Sequence, residues 1–233
     1  MARRPRLALA GLPSLVMQRG HNRQPTFLDR EDHLDFLARL KEAVVARGLE
    51  LHAYVLMPDH FHLLATPATD AALSAAIQDV GRAYVRRFNR RHQRTGTLWD
   101  GRFRCAALDA ERDLLVAMRY IETNPVRAAL VGEPSAYPWS SHGHHVGLRL
   151  DPLITDAAAY WNLGNTPFER QDAYRRLCDE AIDPRELEAL RRAQRTGTPL
   201  PGPQTLAAFE ARGQAMPRAR PRGRPRKVAA PHE

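Results

Sequence analysis

Residues 51–67, LHAYVLMPDHFHLLATP, decide the fold. Two apolar runs flank Met57-Pro58-Asp59, and proline followed by aspartate is turn chemistry, so the stretch predicts a strand, a tight turn and a second strand opening with His60-Phe61-His62. Successive side chains of a strand point to opposite faces. His60 and His62 therefore share one face, about 6.5–7 Å apart along the chain, while Phe61 points into the core. Two imidazoles so placed can grip one divalent cation. They can equally be two unrelated histidines near a strand end, and the spacing leaves both readings open. A His-x-His pair names a metal before it names a reaction.

Upstream, residues 12–18 read as a first strand that ends at the polar loop Arg19-Gly20-His21-Asn22-Arg23-Gln24. From residue 29 to 47, Leu34, Leu37, Leu40 and Val44 recur at helical spacing and Gly48 stops the helix. Downstream, a long helix starts near Ser74 with Leu73, Ile77, Val80, Tyr84 and Phe88 on one face. Its other sides carry Arg82, Arg86, Arg87, Arg90 and Arg91 with no acid after Asp79, a one-signed surface that predicts contact with phosphates rather than ion-paired solvation. Residues 96–109, GTLWDGRFRCAALD, read as a loop and then a fourth strand. Trp99, Arg102 and Arg104 there supply the aromatic and guanidinium mixture suited to stacking on unpaired bases, although Trp99 also suits a core. The next helix begins near Asp109 or Glu111 and turns Leu114, Leu115, Met118 and Ile121 inward. Strand, helix, strand, strand, helix, strand, helix, with an antiparallel central pair and two helices on one face, is the ferredoxin-like split β-α-β arrangement of an α+β protein.

At 233 residues the chain has room for one good core with appendages. Residues 1–141 hold the sheet-bearing domain. After Pro138-Trp139-Ser140-Ser141 the pattern changes, and residues 142–212 read as a small helical module, with helices after the caps Thr166 and Asp183. Packing against the sheet domain and DNA binding both suit it. Residues 213–233 are a Pro/Arg-rich tail that cannot bury enough apolar surface to order itself. A formal charge of +9 with an arginine-heavy balance points to a polyanionic partner, nucleic acid first, against the plainer reading of a basic solvated surface. Only Cys105 and Cys178 are present, far apart and without metal-ligand spacing, which fits a reduced cytoplasmic, nucleoid-associated protein. Arg3-Arg4-Pro5-Arg6 and the apolar run after it have the outline of a signal peptide, but Pro13 interrupts the run and no small-residue cleavage site follows. No run is long enough to span a membrane.

A candidate nucleophile lies in Arg119-Tyr120-Ile121-Glu122-Thr123-Asn124-Pro125. Helical residues four apart face the same way, so Tyr120 and Asn124 can look at one spot while Met118 and Ile121 look inward. A tyrosine oxygen that attacks a phosphodiester stores the broken bond as a phosphotyrosine, and Asn124 can serve as a third ligand to the ion. Asn124 can also cap a new short helix begun by Pro125, and Tyr120 can be an ordinary half-buried helical tyrosine.

Five blocks occur in order across residues 12–141: QRGHNRQ at 18–24, AYVLMPDHFHLL, GTLWDGRFR, RYIETNPVRA and YPWSS. Together they resemble the REP-associated tyrosine transposases, of the single-tyrosine branch of the HUH nucleases. The later segment and the closing RGRPRK at 222–227 look like the longer members of that group more loosely. The resemblance implies that residues 1–141 are the catalytic domain, that His60 and His62 bind Mg²⁺ or Mn²⁺ with Asn124 as third ligand, and that Tyr120 is the nucleophile. It implies cleavage of single-stranded DNA to a 5′-phosphotyrosine and a free 3′-hydroxyl, at palindromic repeats that fold into hairpins. Arg19, Asn22, Arg23, Arg82, Arg86, Arg87, Trp99, Arg102 and Arg104 are the candidate DNA contacts. His21, where related sequences commonly carry Asn, departs from the pattern without touching the catalytic set. Arg222, Arg224 and Arg226 in the tail resemble an AT-hook, which lays arginines along a narrow A·T minor groove; a general phosphate-binding tail fits as well. A DNA-binding regulator on the same fold, and a metal-dependent phosphodiesterase that activates water, remain alternatives. Monomer and homodimer both suit the fold.

Overall fold

The computed structural model describes residues 8–217. Strands β1 (Ser14–Arg19), β2 (Leu49–Met57), β3 (His60–Pro67) and β4 (Arg104–Ala107) form one sheet in the order β2-β3-β1-β4, every neighbouring pair antiparallel. Helix α1 (Arg30–Arg47) links β1 to β2 and α2 (Ala72–Arg91) links β3 to β4, which is the ferredoxin-like split β-α-β order expected from the sequence. The turn between β2 and β3 holds only Pro58 and Asp59, and so short a connection sets the register: Met57 lies opposite His60 and Val55 opposite His62. Asp29 caps α1 by accepting from the Asp32 N–H, and Gly48 ends it at φ 63°, a left-handed conformation open to glycine.

The two-residue period of the strands sorts the core into two layers. Val16, Leu56, Phe61, Leu63 and Ala65 pack with Phe36 and Leu40 of α1 and with Leu73, Ile77, Tyr84 and Phe88 of α2. Leu15, Ala53, Val55, Met57 and Leu64 face the other way, where α3 (Leu114–Glu122) lies across them. The chain continues through α4 (Asn124–Arg127), α5 (His142–His145), α6 (Ala158–Trp161), α7 (Pro167–Asp179), α8 (Pro184–Thr196) and α9 (Pro203–Glu210). Thr166 and Asp183 cap α7 and α8, Thr166 in a full capping box with Glu169. Tyr160, Tyr174, Cys178, Leu190 and Ala193 are buried in the same cluster as Leu15, Val55 and Ile121. Each leucine-sized side chain so buried contributes about 1.5–3 kcal/mol. The helices after Ser141 therefore pack against the sheet domain and complete its second layer. Trp139 and Ser141 also run along the β2 edge, through Leu56 N–H to Trp139 O at 2.9 Å and Ser141 N–H to Tyr54 O at 3.0 Å. That edge is thereby kept from pairing elsewhere.

Two expectations need correction. The arginine face of α2 is ion-paired: Arg82 meets Asp79 at 2.7 Å, Arg87 meets Glu31 and Asp35 at 2.8 and 3.0 Å, and Arg91 meets Asp29 and Asp32 at 2.6 and 2.7 Å. Apart from Asp79, the acids belong to α1 and its cap Asp29, which pack alongside, so reading α2 alone could not find them. Arg86 and Arg90 remain exposed, with no acid paired to them among the described residues. Trp99 is a core residue, edge-on to Phe61 at 5.6 Å and stacked along Tyr84 at 6.1 Å, so no face of it is offered to bases. Arg222, Arg224 and Arg226 lie outside the described residues. Among those described, no helix is long and apolar enough to cross a membrane.

Candidate active site

β3 leaves its turn at His60, and strand alternation puts His60 and His62 together on the second face of the sheet. Both are buried, with ring centroids 5.0 Å apart and planes nearly perpendicular. Asp59 accepts the His60 Nδ1–H, and this bond is the main cause that holds the Asp59 carboxyl below the usual carboxylate range. With the proton committed to Nδ1, the His60 Nε2 lone pair is left for a cation. His62 is held well below the ordinary imidazole range, first by burial, then by His60, Arg127 and Arg19. It is neutral at neutral pH, the form a metal ligand needs. Its Nδ1 lies 2.9 Å from the side-chain amide of Gln194 on α8.

α3 carries Tyr120 to the same face, its ring edge-to-face with His62 at 5.6 Å. Burial raises the phenol pKa, while Arg127, Arg191 and Arg19 pull it back; the net shift is upward. The Arg127 guanidinium stands 4.8 Å from the Tyr120 ring centroid and donates to the Tyr120 carbonyl and to Thr123 Oγ1. Asn124 follows Tyr120 by one helical turn at the start of α4. Neither α3 nor α4 has a side-chain cap, so the capping role that competed for Asn124 is not the one it plays.

Beside these groups lies a polar cavity of about 260 Å³ lined by Gln18, Arg19, Asn22, Arg23, Asp100, Arg102 and Arg104, with Met17. β1 places Arg19 directly opposite His60, so cavity and histidines are contiguous. The loop that shapes it is strained: Asn22 and Arg23 take φ of 52° and 57° in succession. Such residues cost of order 1–3 kcal/mol each and persist only where neighbours hold them. Here Gly20 N–H bonds to Asp59 O at 2.8 Å and His21 N–H to Leu98 O at 2.9 Å. A Cβ at Gly20 would meet Gln24 O at 2.2 Å, so only glycine fits. The structure thus gathers Arg19, Asn22, Arg23, Arg102 and Arg104 near the histidines, and leaves Arg82, Arg86 and Arg87 on α2.

Sequence reasoning passed over Glu122, although an acid two residues from Tyr120 on a largely apolar helix was a signal. It is fully buried and accepts from Ser141 Oγ, from His145 Nδ1 at 2.7 Å and from Tyr174 Oη at 2.8 Å, with His142 Nδ1 at 3.5 Å. Burial pushes its carboxyl up, the two imidazoles pull it down further, and the net is well below the usual range. Glu122, His142 and Cys178 are clustered closely enough to be considered as ligands, and so are His144, His145 and Asp156. In the latter group His144 Nδ1 accepts the Asp151 N–H at 3.1 Å, so its proton sits on Nε2 and is donated to Asp156 at 3.2 Å. It is a hydrogen-bond relay. Arg191 and Gln194 had no local signal, since they reach the site from the far end of the chain.

On one face of this ferredoxin-like sheet, the His-x-His of a central strand meets a helical tyrosine. Residues 15–124, which hold both histidines, Tyr120 and Asn124, match the family model of IS200-like transposases. In fold it is similar to a REP-associated tyrosine transposase solved bound to a REP hairpin, with a TM-score of 0.54 and 21% identity over 68% of this chain and 93% of the other. A candidate transposase from Deinococcus radiodurans R1 aligns with 49% of this chain and 92% of its own at 19% identity and a TM-score of 0.37. No curated protein matches the chain in sequence.

Proposed function

We propose that this protein cleaves and rejoins single-stranded DNA at hairpin-forming palindromic repeats, with Tyr120 as nucleophile and His60, His62 and Asn124 holding one Mg²⁺ or Mn²⁺. The observation that carries the reading is the Tyr120 ring set 5.6 Å from His62, which itself faces His60 at 5.0 Å. The match of residues 15–124 to a transposase family model supports a DNA-cleaving and rejoining enzyme. The donor set suits a divalent ion: a carboxylate-backed imidazole, a neutral buried imidazole and an amide not spent on capping. When bound, such an ion polarises the scissile phosphate and stabilises charge on the leaving oxygen.

Tyr120 Oη gives up its proton and bonds to phosphorus. The bond from phosphorus to the 3′ oxygen breaks, that oxygen takes up a proton, and the 5′ side stays on the protein as a phosphotyrosine. Attack by a 3′-hydroxyl runs the exchange backwards, ester for ester, with no nucleotide consumed. Arg127, Arg191 and Arg19 favour the phenolate. Tyr120 faces the histidines of its own chain, which supports its use in cis. With a hairpin oligonucleotide from the gene's own flanks and Mn²⁺, a denaturing gel should show a covalent band that EDTA, His60→Ala or His62→Ala each remove. Cleavage without that band would put water in the place of Tyr120.

The DNA path runs through the cavity of Arg19, Asn22, Arg23, Arg102 and Arg104 and on to exposed Arg86. Arg23→Ala and Arg86→Ala should each weaken hairpin binding and lower the slope of log affinity against log salt by about 1. Arg87→Ala should leave that slope unchanged and cost up to about 1 kcal/mol of stability, because its charge is spent on α1. The tail arginines Arg222, Arg224 and Arg226 would add affinity for flanking duplex; deleting residues 214–233 tests this through the same slope.

A further inference from the structure

Helix α8 lies outside the residues that match the transposase family, yet its inner face enters the candidate site. Gln194 is buried there beside Leu190 and Ala193, with its amide 2.9 Å from His62 Nδ1. We infer that Gln194 is a positioning residue for His62, fixing the ring and, by the turn of its amide, holding the tautomer that binds the cation. The inference rests on the metal reading of His60 and His62.

Only an unprotonated ring nitrogen can take a metal, and the hydrogen bond at the other nitrogen decides which one that is. For His60 the matter is settled by Asp59, because an ionised carboxylate only accepts and so keeps the proton on Nδ1. His62 has an amide in the corresponding place. With Gln194 Nε2 toward the ring, Nδ1 accepts, the proton sits on His62 Nε2, and that nitrogen cannot bind a cation. With Gln194 Oε1 toward the ring, Nδ1–H donates and the Nε2 lone pair is free. A half-turn about Cγ–Cδ exchanges the two at constant shape. In the structure Nε2 is the atom at 2.9 Å, so the amide must make that half-turn to hold the cation-binding tautomer, which it does without burying a second carboxylate. Its own position is fixed, since Asp183 caps the start of α8, Gly197 ends it at φ 68°, and Leu200 N–H bonds to Ala107 O of β4 at 3.0 Å.

The test uses the full chain without DNA. Gln194→Met keeps the side-chain length but neither donates nor accepts at the ring, whereas Gln194→Glu accepts only. Mn²⁺ binding followed by electron paramagnetic resonance should weaken about 10–100-fold in Gln194→Met and be retained in Gln194→Glu. Imidazole ¹⁵N spectra of His62 should show the Nδ1–H tautomer in Gln194→Glu even without metal. Hairpin affinity in EDTA and melting temperature should stay near wild type in both variants. Wild-type Mn²⁺ affinity in folded Gln194→Met overturns the inference; if that variant does not fold, a well-folded Gln194→Glu with weakened Mn²⁺ binding overturns it instead. A wild-type Mn²⁺ signal indifferent to His62→Ala removes the metal reading itself, a distinct result that takes the inference with it.

Discussion

Tyr120→Phe should bind a hairpin oligonucleotide within about twofold of wild type and form no covalent adduct at all. Phenylalanine keeps the ring that packs against His62 and under Arg127, so the fold should lose no more than about 1 kcal/mol, the net worth of one hydroxyl hydrogen bond. What disappears is the only atom at this position that can hold a phosphoryl group. Binding affinity and adduct yield are separable measurements, the first on a native gel in EDTA and the second on a denaturing gel in Mn²⁺. An adduct that survives the substitution would place the nucleophile elsewhere. Wild type should also show a pH signature. Burial holds the phenol above its ordinary value of 10, so near neutrality the phenolate is a small fraction that grows tenfold per pH unit. Where chemistry limits, the rate of adduct formation should rise with that slope, and a flat profile would mean that another step limits.

Much of this was legible because it is local. Pro58-Asp59 between two apolar runs specifies a hairpin, and alternation from Met57 onward sets His60 and His62 on one face with Phe61 on the other. Thr166 and Asp183 announce helix starts by side-chain chemistry that acts within three residues. The relations that escaped are pairings between distant segments. The arginines of α2 look unpaired until α1 lays Glu31, Asp32 and Asp35 beside them. Trp99 has the composition of a base-stacking loop, and only the close packing of Phe61 and Tyr84 shows that its ring is taken. His62 and Gln194 are 132 residues apart, and no periodicity links them. Periodic patterns report which face a residue serves; what meets that face is a property of the whole chain.

Glu122→Gln should cost the fold about 3–5 kcal/mol, because it replaces a fully buried carboxylate that accepts from Ser141, His145 and Tyr174 with an amide that must donate to some of the same groups. At about 2–4 °C per kcal/mol for a chain of this size, the melting temperature should fall by roughly 6–20 °C. Tyr174→Phe removes one donor from the same carboxylate and should cost about 1–3 kcal/mol. The sign of the pH dependence follows from the depressed carboxyl. A group whose folded pKa lies below its unfolded value of about 4.3 contributes stability that is complete above that value and is lost as pH falls toward the folded one. The gap between wild type and Glu122→Gln, read from urea denaturation, should be constant from pH 7 to about 5 and narrow below it. A gap that widened on acidification would mean that Glu122 is buried protonated. The same carboxylate, two residues after Tyr120, joins α3 to α5 through His145 and to α7 through Tyr174. Loosening it should lower adduct yield in Glu122→Gln even at temperatures where the variant is folded, while Mn²⁺ binding by His60 and His62, on the strand below, holds.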